Sequence, residues 1–149
     1  MVRISFEASA LKVKLGRAPE GLRKKLKEAM LISVRDVQEQ ARENHRFISR
    51  TGQAEGSIKV SLMGQNEHLV GMVYTALPYA VYLHQGTKAH DIVPRSKKAL
   101  RWSGGKDLFI FAKRSHVAGI KADPYIFNAF EEEKPAIISR FKELTEGVL

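Results

Sequence analysis

A chain of 149 residues with 44% hydrophobic side chains has enough apolar material to close one core, so a single domain is expected over residues 1–149. The absence of cysteine excludes disulfide scaffolds, thiolate zinc sites and cysteine nucleophiles, and no apolar run approaches the roughly 18 residues of a membrane span; a soluble protein with no membrane partner is the expectation. Twenty-five Lys and Arg against 16 Asp and Glu leave a net charge of +9, which favours an anionic partner such as nucleic acid, an acidic protein face or phospholipid.

In chain order, residues 2–15 alternate in part (Val2, Ile4, Phe6, then Leu11, Val13, Leu15) and predict an opening strand with a break near Ala8 to Ala10, closed by Gly16 and Pro19. From Pro19 to about Phe47, apolar residues recur at helical spacing: Leu22, Leu26, Met30, Val34, Val37, Ala41 and Ile48. A helix of about 28 residues, on the order of 42 Å, follows. Ser49 to Gly52 reads as a turn. Ile58, Val60 and Leu62 then form one strand, Gly64 to Glu67 a reversal, and Val70, Met72 and Tyr74 the return strand of a hairpin.

A further hairpin is predicted from Ala99–Trp102 and Leu108–Ala112 around a five-residue link, Ser103 to Asp107. From Pro124 onward, Phe127, Phe130, Ile137, Phe141 and Leu144 predict a C-terminal helix, with Pro135 expected to kink it or to start a new one. The fold class is therefore α+β: an antiparallel sheet of β-hairpins packed against one long helix in the N-terminal half and a C-terminal helix.

No chemistry-bearing pattern stands out. His84, His90, Asp91 and His116 could converge on zinc, but six residues across a Gly-Thr turn separate His84 from His90, and the spacing fits loop histidines better. Gly56-Ser57 lacks the flanking glycines of a nucleophile elbow, and Asp107 follows Gly104-Gly105-Lys106 where a phosphate loop would need Ser or Thr. Consecutive Glu131, Glu132 and Glu133 fan around a helix instead of facing one another.

Charge is unevenly distributed. Residues 86–121 carry nine basic residues (Lys88, Arg95, Lys97, Lys98, Arg101, Lys106, Lys113, Arg114, Lys121) against Asp91 and Asp107, a net of +7. Residues 122–149 carry six acids, Glu131, Glu132 and Glu133 among them, against three basic residues, a net of −3. Three readings remain open: a nucleic-acid groove with Trp102 for stacking, head-to-tail association of basic loop with acidic helix, or a solvated charged hairpin.

Three stretches together resemble the tail-completion, or neck, proteins of long-tailed bacteriophages, the minor tail components involved in head-tail joining. Thr51 to Ile58, with Thr51, Gly52 and Ser57, is similar to that family's TG.L..SI passage. Tyr79 to Thr87, with Tyr79, Ala80, Gly86 and Thr87, is similar to its YA.YVE.GT segment, and Gly119 to Phe130, with Gly119 and Pro124, to its G..A.PF...A entry into the last helix. Ala54 stands where the family tends to have a larger aliphatic residue and His84 where it tends to have glutamate.

The resemblance implies a structural virion component of a phage or prophage, made in the bacterial cytoplasm and located in the neck or tail. It implies a subunit that assembles with itself in a ring and with other head and tail proteins, passes close to DNA at most transiently, and has no catalysis, cofactor, metal or small-molecule substrate. A small basic nucleic-acid-binding protein is the alternative. The motif residues are expected to serve as turns and core, with Gly86 ending an aromatic-rich strand and Tyr79 and Tyr82 on opposite sides of it.

Overall fold

The computed structural model of this protein describes residues 3–7, 10–14, 18–64 and 68–146. Where one broken opening strand was expected, there are two, β1 (Arg3–Glu7) and β2 (Ala10–Lys14), paired antiparallel with Ile4 opposite Val13 and Phe6 opposite Leu11. β1 and β2 run antiparallel on either side of the expected break; Ala8 and Ser9, like Val2, Leu15, Gly16 and residues 65–67 of the expected reversal, lie outside the described residues.

The long helix α1 spans Glu20–Glu43, 24 residues, starting after Pro19, whose carbonyl accepts the Arg23 amide at 3.0 Å. Proline suits this place because its missing N–H would be unpaired there in any case. The helix is shorter than its apolar period predicts. It ends at Asn44, and Ile48, which continues the spacing, lies beyond it and is exposed. A one-turn helix α2 (Gln53–Gly56) leads into the hairpin β3 (Ile58–Met63) and β4 (His68–Thr75). With the first two strands they form one antiparallel sheet in the order β1-β2-β4-β3.

The inner face of β4 differs from the expectation. Leu69, Gly71 and Val73 are buried, whereas Val70 and Met72 are half-buried and Tyr74 is exposed. Register explains it: Ile58, Val60 and Leu62 pair with Thr75, Val73 and Gly71, so these share one face. Gly71 lets α1 approach that face closely. A Cβ there would lie 2.5 Å from Val34 Cγ1 and 2.7 Å from Met30 Sδ.

α1 packs on the sheet through Leu26, Met30, Val34 and Val37, all fully buried with Leu11, Ile58 and Val73. At about 1.5–3 kcal/mol for each large apolar side chain removed from water, this cluster is the main source of stability. The last helix, which we number α4 (Tyr125–Glu146), packs along α1 through Ala129, Phe130, Ile137 and Phe141. Arg140 ties the two helices, donating to Ser33 Oγ and to Asp36 Oδ2, each at 2.7 Å. Pro135 neither ends α4 nor starts another helix: α4 runs through it, with the proline exposed to solvent.

Between β4 and α4 the chain departs most from its expected form. The aromatic-rich stretch is not a strand but a short helix, α3 (Ala80–Gln85). Pro78 and Tyr79 turn the chain into it, with Ala80 N–H donating to Leu77 O at 3.0 Å, and Ala80 is buried and Leu83 half-buried while Tyr79, Val81 and Tyr82 all remain exposed. Two small sheets follow: β5 (His90–Ile92) with β8 (Ser115–Val117), and, nested between them in sequence, β6 (Leu100–Gly105) with β7 (Leu108–Ala112). The second hairpin is tighter than expected. Its strand reaches Gly105, leaving a two-residue turn of Lys106 and Asp107, with φ of +134° at Gly105 and +57° at Asp107.

Candidate functional site

The stretch from β5 to β8 forms an arm. None of the buried core residues falls between Val81 and Ala122, and β6 and β7 pack chiefly on each other. Pairing alternates the arm's side chains between two faces. On one lie Leu100, Trp102, Leu108, Ile110 and Ala112, closed over Gly104, whose Cβ position faces the Ile110 and Leu108 side chains. On the other lie Phe109 and Phe111, with the Arg101 guanidinium 4.5 Å from the Phe109 ring centre. Trp102 is 41% exposed, Leu108 59% and Phe111 64%.

The basic residues singled out by the sequence are spread along this arm. Arg95, Lys97 and Lys98 occupy the exposed loop between β5 and β6, Arg101 lies on β6, and Lys113 and Arg114 follow β7. Arg114 is already engaged at the arm's stem, where it and His116 Nδ1, the latter at 2.9 Å, both reach Asp91. The Arg114 guanidinium, and after it His116, hold the Asp91 carboxyl below the usual carboxylate range. His84 and His90 are exposed and outside this pair, and among the described residues no group of three or more His, Asp or Glu is placed to share a metal ion.

The arm is rooted in a junction where the three motif stretches converge. Thr87 N–H donates to Ile120 O at 2.8 Å and Ile120 N–H to Thr87 Oγ1 at 3.1 Å, while Asp123 N–H donates to Leu83 O at 3.0 Å. Gly86 has φ +75°, and a Cβ there would lie 2.6 Å from Ile120 O. A Cβ on Gly119 would collide with Thr87 O. Both glycines are thus required by close backbone approach. Pro124 immediately precedes α4, its carbonyl accepting the Asn128 amide at 2.9 Å.

Thr51 and Gly52 sit beside this junction, together with Tyr79 and Leu83, around a shallow cleft of about 180 Å³. Gly52 precedes α2 with φ +69°, and Ser57 bonds Thr75 Oγ1 at 2.6 Å, fastening α2 to the end of β4.

Two polar arrangements here escaped the sequence reading. The buried carboxylate of Asp123 accepts the backbone N–H groups of Arg46 and Phe47, and its one sequence signal is an acid before the proline that opens a helix. His45 stacks on Phe47 at 3.8 Å and reaches Glu55 Oε1 at 3.0 Å. A Ser49 hydrogen bond, and to a lesser extent His45, keep the Glu55 carboxyl below its ordinary value against the opposing effect of burial. Nothing in the sequence spacing announced the second.

The acidic residues do not form one face. Glu131 and Glu132 are exposed, Glu131 bonded to Lys134 at 3.2 Å and Glu132 to Gln40, whereas Glu133 is half-buried. No family model matches the chain, and no curated protein or solved structure matches it either.

Proposed function

We propose that this chain is a structural, non-enzymatic subunit of a tailed phage or prophage particle, acting in tail completion or head-tail joining through ring-like self-assembly. The observation that carries this reading is the arm: a hairpin with aromatic and aliphatic side chains exposed on both faces and rooted in a glycine-dependent junction. A monomer that works alone has little use for such a surface, since large exposed apolar patches usually mark interaction sites. The three stretches resembling neck proteins support the reading further, because they converge on the root of this arm. No cofactor or small-molecule substrate enters the proposal.

Removing the gene from an inducible lysogen that carries it tests this. The expected result is DNA-filled heads and separate tails in electron micrographs, with joined particles restored when the gene is supplied in trans. Normal numbers of joined particles without the gene would sink the reading.

One observation favours a second reading, a small basic nucleic-acid-binding protein. Phe109 and Phe111 beside Arg101 resemble the stacking platforms of single-strand binders, flanked by Lys106 and Lys113. Steeply salt-dependent binding to single-stranded DNA by a strictly monomeric protein would favour it.

A further inference from the structure

The two faces of the arm differ in chemistry, and the difference indicates what covers the purely apolar one. Leu100, Leu108, Ile110 and Ala112 offer nothing to phosphates, aliphatic groups do not stack on bases as aromatic rings do, and Trp102 is the single ring on this face. Such a face is complementary to another apolar protein surface. The arm around it is strongly basic, so its receiver should combine exposed apolar and acidic groups.

In this chain that description fits α4. Its outward side carries Phe127, 45% exposed, one turn before Glu131, with exposed Glu132 adjacent and exposed Pro135 a further turn on. α4 carries five glutamates against Lys134, Arg140 and Lys142, and of these three Arg140 is bound to Ser33 and Asp36 and Lys134 to Glu131, so the helix is net negative. The long helix α1 does not serve as well, because Arg23, Lys24, Lys25, Lys27, Arg35 and Arg42 outnumber its acids. Trp102 and Phe127 are both exposed in the single chain, so the arm does not cover its own α4.

We infer that the Trp102 face of the arm docks on the Phe127–Glu131 stripe of α4 in a second copy of this chain. The contact is heterologous, each copy giving an arm and receiving one, and such contacts propagate until a rotation closes the ring. A hairpin face this small falls below the roughly 1,200 Å² of total buried surface typical of stable pairs. Association is therefore weak at low concentration and strengthened by closure. The inference rests on the self-assembly reading above and specifies its contact.

Because Trp102 is the sole tryptophan and the chain has no cysteine, both sides can be probed cleanly. Sedimentation and Trp102 emission are measured across protein and salt concentration, alongside oxidation of a mixture of Leu108→Cys and Phe127→Cys chains. The expected outcome is concentration-dependent association with a blue shift of Trp102, weakened by salt, and a mixed disulfide that exceeds either self-pair. The Glu131→Lys, Glu132→Lys double variant should associate about tenfold more weakly or worse, a loss of about 1.4 kcal/mol. Lys106→Glu with Lys113→Glu in the same chain should restore much of it, with circular dichroism unchanged throughout.

Association with an unshifted Trp102 and undiminished strength in the double variant would overturn this contact while leaving self-assembly standing. A chain monomeric at every concentration would overturn it too, and the gene-removal experiment would then judge the particle role separately. A monomer whose Trp102 is quenched by a single-stranded oligonucleotide would replace it with the nucleic-acid reading.

Discussion

Asp123 holds the backbone of Arg46 across a separation of 77 residues: its Oδ2 accepts the Arg46 N–H at 2.5 Å and the Phe47 N–H at 3.2 Å. The carboxylate is only 3% exposed, so removing it strands two amide donors in a place water reaches poorly. Asp123→Ala should cost about 2–3 kcal/mol, with Asp123→Asn intermediate because it keeps an acceptor oxygen. Urea denaturation with unchanged slope would check this, and a loss below about 0.5 kcal/mol would show that the segment after α1 finds other partners.

Gly86→Val should be far more damaging than His84→Ala. At Gly86 the backbone adopts φ +75° and a Cβ would press on Ile120 O and on Ala122 N at 2.7 Å, both main-chain atoms that cannot rotate away. A β-branched residue in that conformation, with the clash added, should cost about 3 kcal/mol or more, whereas an exposed histidine should change stability by about 0.5 kcal/mol or less. Equal melting temperatures would mean that the turn relaxes.

Stability should fall at both ends of the pH range through two identifiable groups. Burial, and then the Asp123 charge, raise the Tyr125 phenol above its ordinary 10.0. The folded chain therefore holds this proton where the unfolded chain releases it, and the contribution is lost as pH rises above 10. Glu55 is the opposite case, lowered from 4.5, so its contribution is present above that value and is lost as pH falls below it. Denaturation profiles should show Tyr125→Phe with a shallower alkaline decline and Glu55→Gln with a shallower acid decline than the parent.

Excising the arm should leave the body folded. Ile92 and Ser115 are paired across the stem, so residues 93–114 can be replaced by an Asn-Gly turn that closes β5 onto β8. No buried core residue is removed, and the stability change should stay within about 1 kcal/mol, the Arg114–Asp91 pair being surface-exposed. Loss of cooperative unfolding would show that the arm supports the core.

The long helix and the 58–75 hairpin were legible because only one periodicity fits each: Leu26, Met30, Val34 and Val37 share a helix face, and Ile58 alternates with polar Lys59. β4 was legible as a strand but not in its facing, since Leu69 and Val73 are as apolar as Val70 and Met72 and only register to β3 decides between them. At Ala80–Gln85, six residues are too few to separate helical from strand spacing, and Pro78 with buried Ala80 tips the balance. The arm was legible as a basic hairpin. Its exposure was not, because an apolar strand meant for a partner has the same composition as one meant for the core. The Asp123 and His45–Glu55 contacts join residues far apart in sequence, or of no distinctive spacing, and tertiary structure alone creates them.

The rooting of the arm also determines where a pull on it would be felt. Tension entering through β5 and β8 reaches Thr87 and Ile120, passes along 120–123 to Leu83 and to Asp123, and from there to the amides just past the end of α1 and to the first turn of α4. The described hydrogen bonds on this route bypass the ladder of the four-stranded sheet. A pull on the arm would thus draw on the two helices, bridged by Arg140 to Ser33 and Asp36, while the sheet carries little of the strain.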